Sequence, residues 1–177
     1  MGLFRPEERL ELIEGEILTK VTPQNTPHVT GVILCTEALR NLFGIGYVIR
    51  TQMPIVLNDG SEPEPDVLVV PGGPRDYEDH HPTPSEVLLL IEVSDTTLEF
   101  DRGRKARLYA AAGIREYWLL NLPERKLEIH RQPRPDGSWG SVTVPDESSL
   151  AAPLEAPNAS IRISDLLPRA KLAVPPR

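Results

Sequence analysis

The spacing of apolar and polar positions changes several times along the chain, and each change marks a predicted element. Residues 10–21 read as a tight hairpin: Leu10 to Ile13, a turn at Glu14-Gly15, then Glu16 to Val21. From residue 26 to residue 43 the repeat lengthens. Val29, Val32, Ile33, Thr36, Leu39 and Phe43 recur at three-to-four spacing and Gly44 follows as a stop, which predicts a helix. GYVIRT and MPIVLND then suit two strands, with Pro54 pushing the second towards an edge or its own start.

Two runs further on are almost wholly apolar: Asp66 to Val70, and Glu86 to Val93. Such runs suit central strands buried on both faces. The acidic loop PGGPRDYEDHHPTP joins them, and a loop of that length makes them antiparallel neighbours. After SDTT the pattern turns helical up to Ala112, with Gly113 as its C-cap. IREYWLLNL is a further strand, in which Tyr117 and Trp118 read as core, and the alternating KLEIHRQ pairs with SWGSVTVP. The tail from about Leu150 is proline-rich, with a short helix at Ser164 to Leu167. The predicted fold class is α/β: a mixed β-sheet flanked by two main helices, with additional β-hairpins, in a single domain over residues 1–177.

Composition narrows the partners. With 19 basic against 26 acidic residues the net charge is −7, which argues against a non-specific nucleic-acid coat but leaves room for a local basic patch. No apolar run approaches a membrane span, and MGLFRPEERL has no signal-peptide core, so no membrane partner is expected. The single cysteine, Cys35, forms no internal disulfide and suits a reducing compartment, here the cytoplasm.

The candidate chemistry gathers around Asp66. Antiparallel pairing brings the start of one apolar run beside the end of the other, so Asp66 and Glu92 meet at one sheet edge. Two carboxylates there repel unless a cation sits between them, and a hard divalent ion such as Mg²⁺ takes oxygen ligands of this kind. On the following helix Asp101, Lys105, Leu108, Tyr109 and Ala112 share one face, so Lys105 turns towards the sheet and needs a negative partner. Arg104 and Arg107 fall on other faces. A structural ion-pair cluster without chemistry satisfies the same pattern.

Other motifs carry less. Glu62 and Glu64 read as an exposed acidic loop between prolines. Asp79, His80 and His81 lack the matching ligand pair of a transition-metal site. Gly72-Gly73 lacks the Lys and Ser/Thr of a phosphate-binding loop, so no cofactor-binding residues are expected. His28 reads as a helix-start contact or a substrate contact.

The order LIEGEI, a Pro-His-containing first helix, PDVLVV, LLLIEVSDTT, DRGRKARLYAAAG and IREYWLLNL resembles the Uma-type family of restriction-endonuclease-like proteins. The resemblance runs from about Arg9 to Arg131 and implies the PD-(D/E)XK nuclease fold. It implies that Asp66 and Glu92 bind Mg²⁺ or Mn²⁺ with the backbone carbonyl of Val93, and that Glu14 is an additional acid. The nuclease motif places Lys two residues after the Glu, where this chain has Ser94; in the Uma-type pattern the lysine sits on the following helix, as Lys105. The implied activity is hydrolysis of DNA phosphodiester bonds, with catalytic Asp66, Glu92 and Lys105. Arg102, Arg104, Arg107 and Arg115 are the expected phosphate contacts. A non-catalytic homodimeric binding protein that keeps the nuclease fold is the alternative, favoured by the acidic net charge.

Overall fold

The computed structural model describes residues 10–19 and 25–170. A six-stranded mixed sheet in the order β3-β4-β5-β6-β7-β8 forms its centre. The strands are β3 (Tyr47–Thr51), β4 (Val67–Pro71), β5 (Leu89–Ser94), β6 (Glu116–Asn121), β7 (Lys126–Pro133) and β8 (Trp139–Thr143). All neighbours are antiparallel except β5 and β6, whose parallel pairing is made possible by the helical crossover between them. Every residue of β5 and of β6 is buried, including Glu92 and Glu116, as mainly apolar central strands covered on both faces require.

Alternation sends the two sides of these strands into two cores. Val67, Val69, Leu89, Ile91, Val93, Trp118 and Leu120 pack under helix α1 (Thr26–Phe43). Leu68, Val70, Leu90, Tyr117 and Leu119 pack on the other face with Ala106, Tyr109 and Ile114. Each fully buried Val, Leu or Ile stabilises the fold by about 1.5–3 kcal/mol, so the two central strands dominate the packing energy.

Helix α1 keeps its predicted bounds but is turned about its axis. Gly31, Val32, Cys35, Thr36 and Leu39 are its buried residues, whereas Val29 and Ile33 are exposed. The reason is close approach at Gly31, where a Cβ would stand 2.8 Å from Val93 Cγ1. Cys35 is fully buried in this layer, and burial, followed by the charge of Asp66, pushes its thiol up to about 12.

The segment MPIVLND is no strand. Ile55 N–H and Val56 N–H donate to the carbonyls of Pro63 and Pro82, and the chain doubles back at an isolated bridge between Asn58 and Ser61. Prolines on both arms deprive a continuous ladder of donors. The hairpin β1 (Leu10–Ile13) and β2 (Glu16–Thr19) docks on this doubled-back segment. Glu62 N–H donates to the Leu12 carbonyl and Gly15 N–H to the Gly60 carbonyl. Glu14 and Gly15 both take positive φ, 52° and 83°, as a two-residue hairpin turn demands. Residues 20 and 21 of the predicted second arm lie outside the described residues, as do MGLFRPEER and residues 171–177.

Residues 98–111 form one helical run in three parts: α2 (Leu98–Phe100), a π-helical turn (Asp101–Lys105) and α3 (Ala106–Ala111). Gly113 ends it at φ 83°. The proline-rich tail contributes to the core: β9 (Leu150–Ala151) pairs with β10 (Ile161–Arg162), and α4 (Ile163–Leu166) follows. Ala151, Ile161, Ile163 and Leu166 join the cluster under α1.

Candidate active site

The β4–β5 register pairs Val67 with Ile91, and the next step along each strand sets Asp66 beside Glu92. Asp66 is 7 % exposed and Glu92 3 %. Three donors from three separate segments grip Asp66. His28 Nε2 on α1 lies 3.1 Å from Oδ2, Gln52 Nε2 donates to Oδ1 at 3.1 Å, and Val93 N–H donates to Oδ2 at 2.9 Å. Burial alone would raise the Asp66 carboxyl, but the His28 hydrogen bond and charge, with Val93 and Gln52, outweigh it and hold it below the usual range. His28 moves the opposite way: burial lowers it, and the Asp66 hydrogen bond and charge raise it further.

Glu92 is differently placed. Lys105 Nζ at 2.9 Å and Tyr109 Oη at 2.6 Å both donate to its Oε1. Burial pushes its carboxyl up to about 8, against the lowering by Lys105 and with further raising by Asp101, Asp66 and Glu11. Lys105, buried on the π-helical turn, is held protonated: the charges of Glu92, Glu11 and Asp101 overcome the burial that would lower it. Three buried carboxylates, those of Glu92, Glu11 and Asp101, therefore act on one lysine, and Asp66 adds a fourth negative charge beside Glu92.

Two members of this cluster were not singled out as site acids in the sequence. Glu11 Oε1 accepts from Lys105 Nζ at 3.1 Å and from Glu64 N–H at 2.8 Å. The period-two rule carried the signal, since Glu11 has the parity of Ile13, and both are buried in β1. Asp101 Oδ2 accepts 2.6 Å hydrogen bonds from Ser94 Oγ and Thr97 Oγ1. Ser94, at the position of the nuclease-motif lysine, is thus tied to Asp101, whose carboxyl burial raises.

Glu14 stands apart from the cluster. Its side chain is 55 % exposed, at the hairpin corner, and accepts from Arg104 Nε at 2.8 Å. Of the four arginines, Arg102 is engaged by Glu128 and Arg104 by Glu14 and Glu16, whereas Arg107 and Arg115 are exposed. Glu62 and Glu64 are half-buried rather than exposed, because Pro63 and Pro65 on either side of Glu64 are buried. His80 and His81 face Glu86 and Glu62 respectively. Gly73 caps a short 3₁₀ turn, Pro74–Tyr77, and its N–H donates to Asp76 Oδ2 at 2.8 Å.

The donor set suits a hard divalent cation in chemistry: oxygen ligands, an excess of buried negative charge, and both donors to Glu92 on one oxygen. Among the described residues no three His, Cys, Asp or Glu side chains form a metal-holding group. A cation here would therefore take at most two side chains, with backbone and water oxygens completing its shell, as Mg²⁺ commonly does.

The mixed sheet, with Asp66 and Glu92 on adjacent antiparallel strand ends and Lys105 on the crossover helix, has the arrangement that the resemblance to restriction-endonuclease-like proteins implies. The family model Uma2, described as "Putative restriction endonuclease", matches residues 2–164, and the chain belongs to that family. A solved structure described as "a putative nuclease belonging to DUF820 from Anabaena variabilis ATCC 29413" superposes with a TM-score of 0.71. At 18 % identity, over 93 % of this chain and 92 % of that one, the likeness is one of fold. No curated protein matches the chain. Among the described residues no helix is long and apolar enough to cross a membrane.

Proposed function

We propose that the protein is a Mg²⁺- or Mn²⁺-dependent endonuclease that hydrolyses DNA phosphodiester bonds in the cytoplasm. The observation that carries this reading is the buried surplus of carboxylate around Lys105 at the β4–β5 end. Asp66, Glu92 and the backbone carbonyl of Val93 would hold the cation. A divalent ion bound there supplies Lewis-acid polarisation of a phosphoryl oxygen and a more acidic water.

The chain's own groups supply the rest. Asp66 is kept ionised by its three donors and so needs no deprotonation before binding. A cation held there would offset the repulsion that Asp66, Asp101 and Glu11 exert on Glu92 and so would favour its ionised form. Lys105 would orient the attacking water and offset charge on the phosphorane. Arg107 and Arg115 contact backbone phosphates; Arg102 and Arg104 do so only by exchanging Glu128, Glu14 and Glu16 for phosphate. Binding is local and salt-sensitive, each phosphate contact adding roughly one unit of log–log slope.

A second reading draws on one feature: both acids already accept hydrogen bonds from protein donors. On that reading the chain is a non-catalytic, homodimeric binding protein with a closed ion-pair cluster. Titrating the purified protein with Mn²⁺, alongside cleavage of supercoiled plasmid, separates the two. The nuclease reading expects Mn²⁺ binding and nicking that both vanish in Asp66→Ala and Glu92→Ala. Sedimentation gives the oligomeric state.

A further inference from the structure

Gln52 follows β3 directly and stands at φ 51°, in the left-handed region that side-chain-bearing residues enter at a cost. Asn and Asp are the residues that tolerate this region best after Gly; Gln is not among them. The other described non-glycine residues with positive φ are Glu14, Arg125 and Gln132. Glu14 lies in the β1–β2 turn and Arg125 in the β6–β7 turn, where such backbone is a demand of the turn itself. Gln132, also a glutamine in this region, lies inside β7 between the ladder partners Arg131 and Pro133, whereas Gln52 sits in no turn and in no strand.

What Gln52 does instead is hold one residue twice. Its backbone N–H donates to the Asp66 carbonyl at 3.1 Å and its Nε2 donates to Asp66 Oδ1 at 3.1 Å. The remaining Asp66 contacts, from His28 Nε2 and Val93 N–H, fall on Oδ2. Among the described residues, Gln52 thus provides the side-chain contact that fixes Oδ1 and so the rotation of the carboxylate plane. Asn would suit the backbone better, but its amide ends one methylene short.

We infer that Gln52 is a positioning residue that sets the rotation of the Asp66 carboxylate for cation binding, its strained backbone being retained for the reach of its amide. The inference rests on the nuclease reading of Asp66. A purely structural Gln52 would serve only to turn the chain from β3 towards Pro54, and Gly or Asn would then do as well.

The experiment compares wild type, Gln52→Gly and Gln52→Asn for thermal stability without metal, Mn²⁺ affinity by calorimetry, and the split of kcat and KM on plasmid DNA. Both variants relax the backbone, so their Tm is expected to be unchanged or raised. Mn²⁺ affinity is expected to fall about 10–100-fold, as loss of an outer-shell hydrogen bond does. The loss should appear in kcat at subsaturating Mn²⁺, with KM for DNA unmoved. Either folded variant binding Mn²⁺ like wild type overturns the inference and leaves the nuclease reading standing. So does a variant whose only defect is a lower Tm. Wild-type protein that binds no Mn²⁺ overturns the nuclease reading itself, and this inference with it.

Discussion

Glu92 and Glu116 lie on adjacent parallel strands, are 3 % and 0 % exposed, and have opposite surroundings. Glu116 accepts on both oxygens: Arg131 Nε at 2.8 Å and Trp118 Nε1 at 2.9 Å on Oε1, and Leu154 N–H at 2.7 Å on Oε2. One guanidinium meets one carboxylate and the lone pairs are filled, which is the condition for a buried pair to persist. Glu92 shares a single ammonium with Glu11, takes both its hydrogen bonds on one oxygen, and faces Asp66 and Asp101. Burial of an acid therefore says little about function. A surplus of acids with too few cations says more, because such a cluster is held at a cost in the free protein.

The sharpest way to break this contrast is to remove each acid. Glu116→Ala strands the Arg131 guanidinium and the Trp118 and Leu154 donors, and should cost about 3–5 kcal/mol. In a protein of this size that is roughly a 10 °C fall in Tm. Mn²⁺ affinity of the folded variant should not change; a weakened affinity would place Glu116 in the site. Next in size is Lys105→Ala, expected to cut cleavage on the order of 10² or more while Mn²⁺ binding stays equal or tightens. Lys105→Arg should be impaired too, since a planar guanidinium does not replace a compact ammonium. Unchanged cleavage and metal binding in Lys105→Ala would remove it from the site.

A gentler test uses pH. The Glu92 carboxyl is raised from its unfolded value to about 8, so the folded protein binds the extra proton. Its stability should therefore fall as pH rises from about 4.5 to about 8 and level off above. Glu92→Gln has no such proton to lose, and in chelator its Tm should exceed that of wild type increasingly across that window. His28, also raised, titrates with the same sign and leaves a smaller slope in the variant. Mn²⁺ binding to wild type should tighten with pH over the same range, as the cation displaces the proton. Parallel melting profiles for wild type and Glu92→Gln would refute the surplus-charge account. The smallest effect is expected of Glu14→Ala, which removes an exposed partner of Arg104 and should leave Mn²⁺ affinity within error. A several-fold loss would return Glu14 to the site.

Much of this arrangement was legible in the residues. The two apolar runs gave β4 and β5 and their antiparallel pairing, and the helical face from Asp101 placed Lys105 against the sheet. The order of motifs gave the family. Less legible was whatever depended on close approach between distant segments. The rotation of α1 followed from Gly31 meeting Val93, which no periodicity in residues 26–43 encodes. The hairpin acid was sought at the turn, Glu14, although β1 presents Glu11 inward, because the dock of β1 on the Pro63–Pro65 segment decides which side is buried. The π-helical turn is invisible to a 3.6-residue repeat, and Gln52 had no apolar pattern to betray it.

Cys35 turns the core under α1 into a reporter. It is the chain's only cysteine, it has no exposed surface, and its thiol is pushed up to about 12. A thiol reagent can reach it only in molecules whose helix has lifted from the sheet. Where closing outpaces labelling, the modification rate counts the open fraction directly. A cation that binds only the closed protein should slow that rate by the factor 1 + [Mn²⁺]/Kd. One unmutated side chain, timed with and without Mn²⁺, thus gives the opening equilibrium and the metal affinity from a single clock.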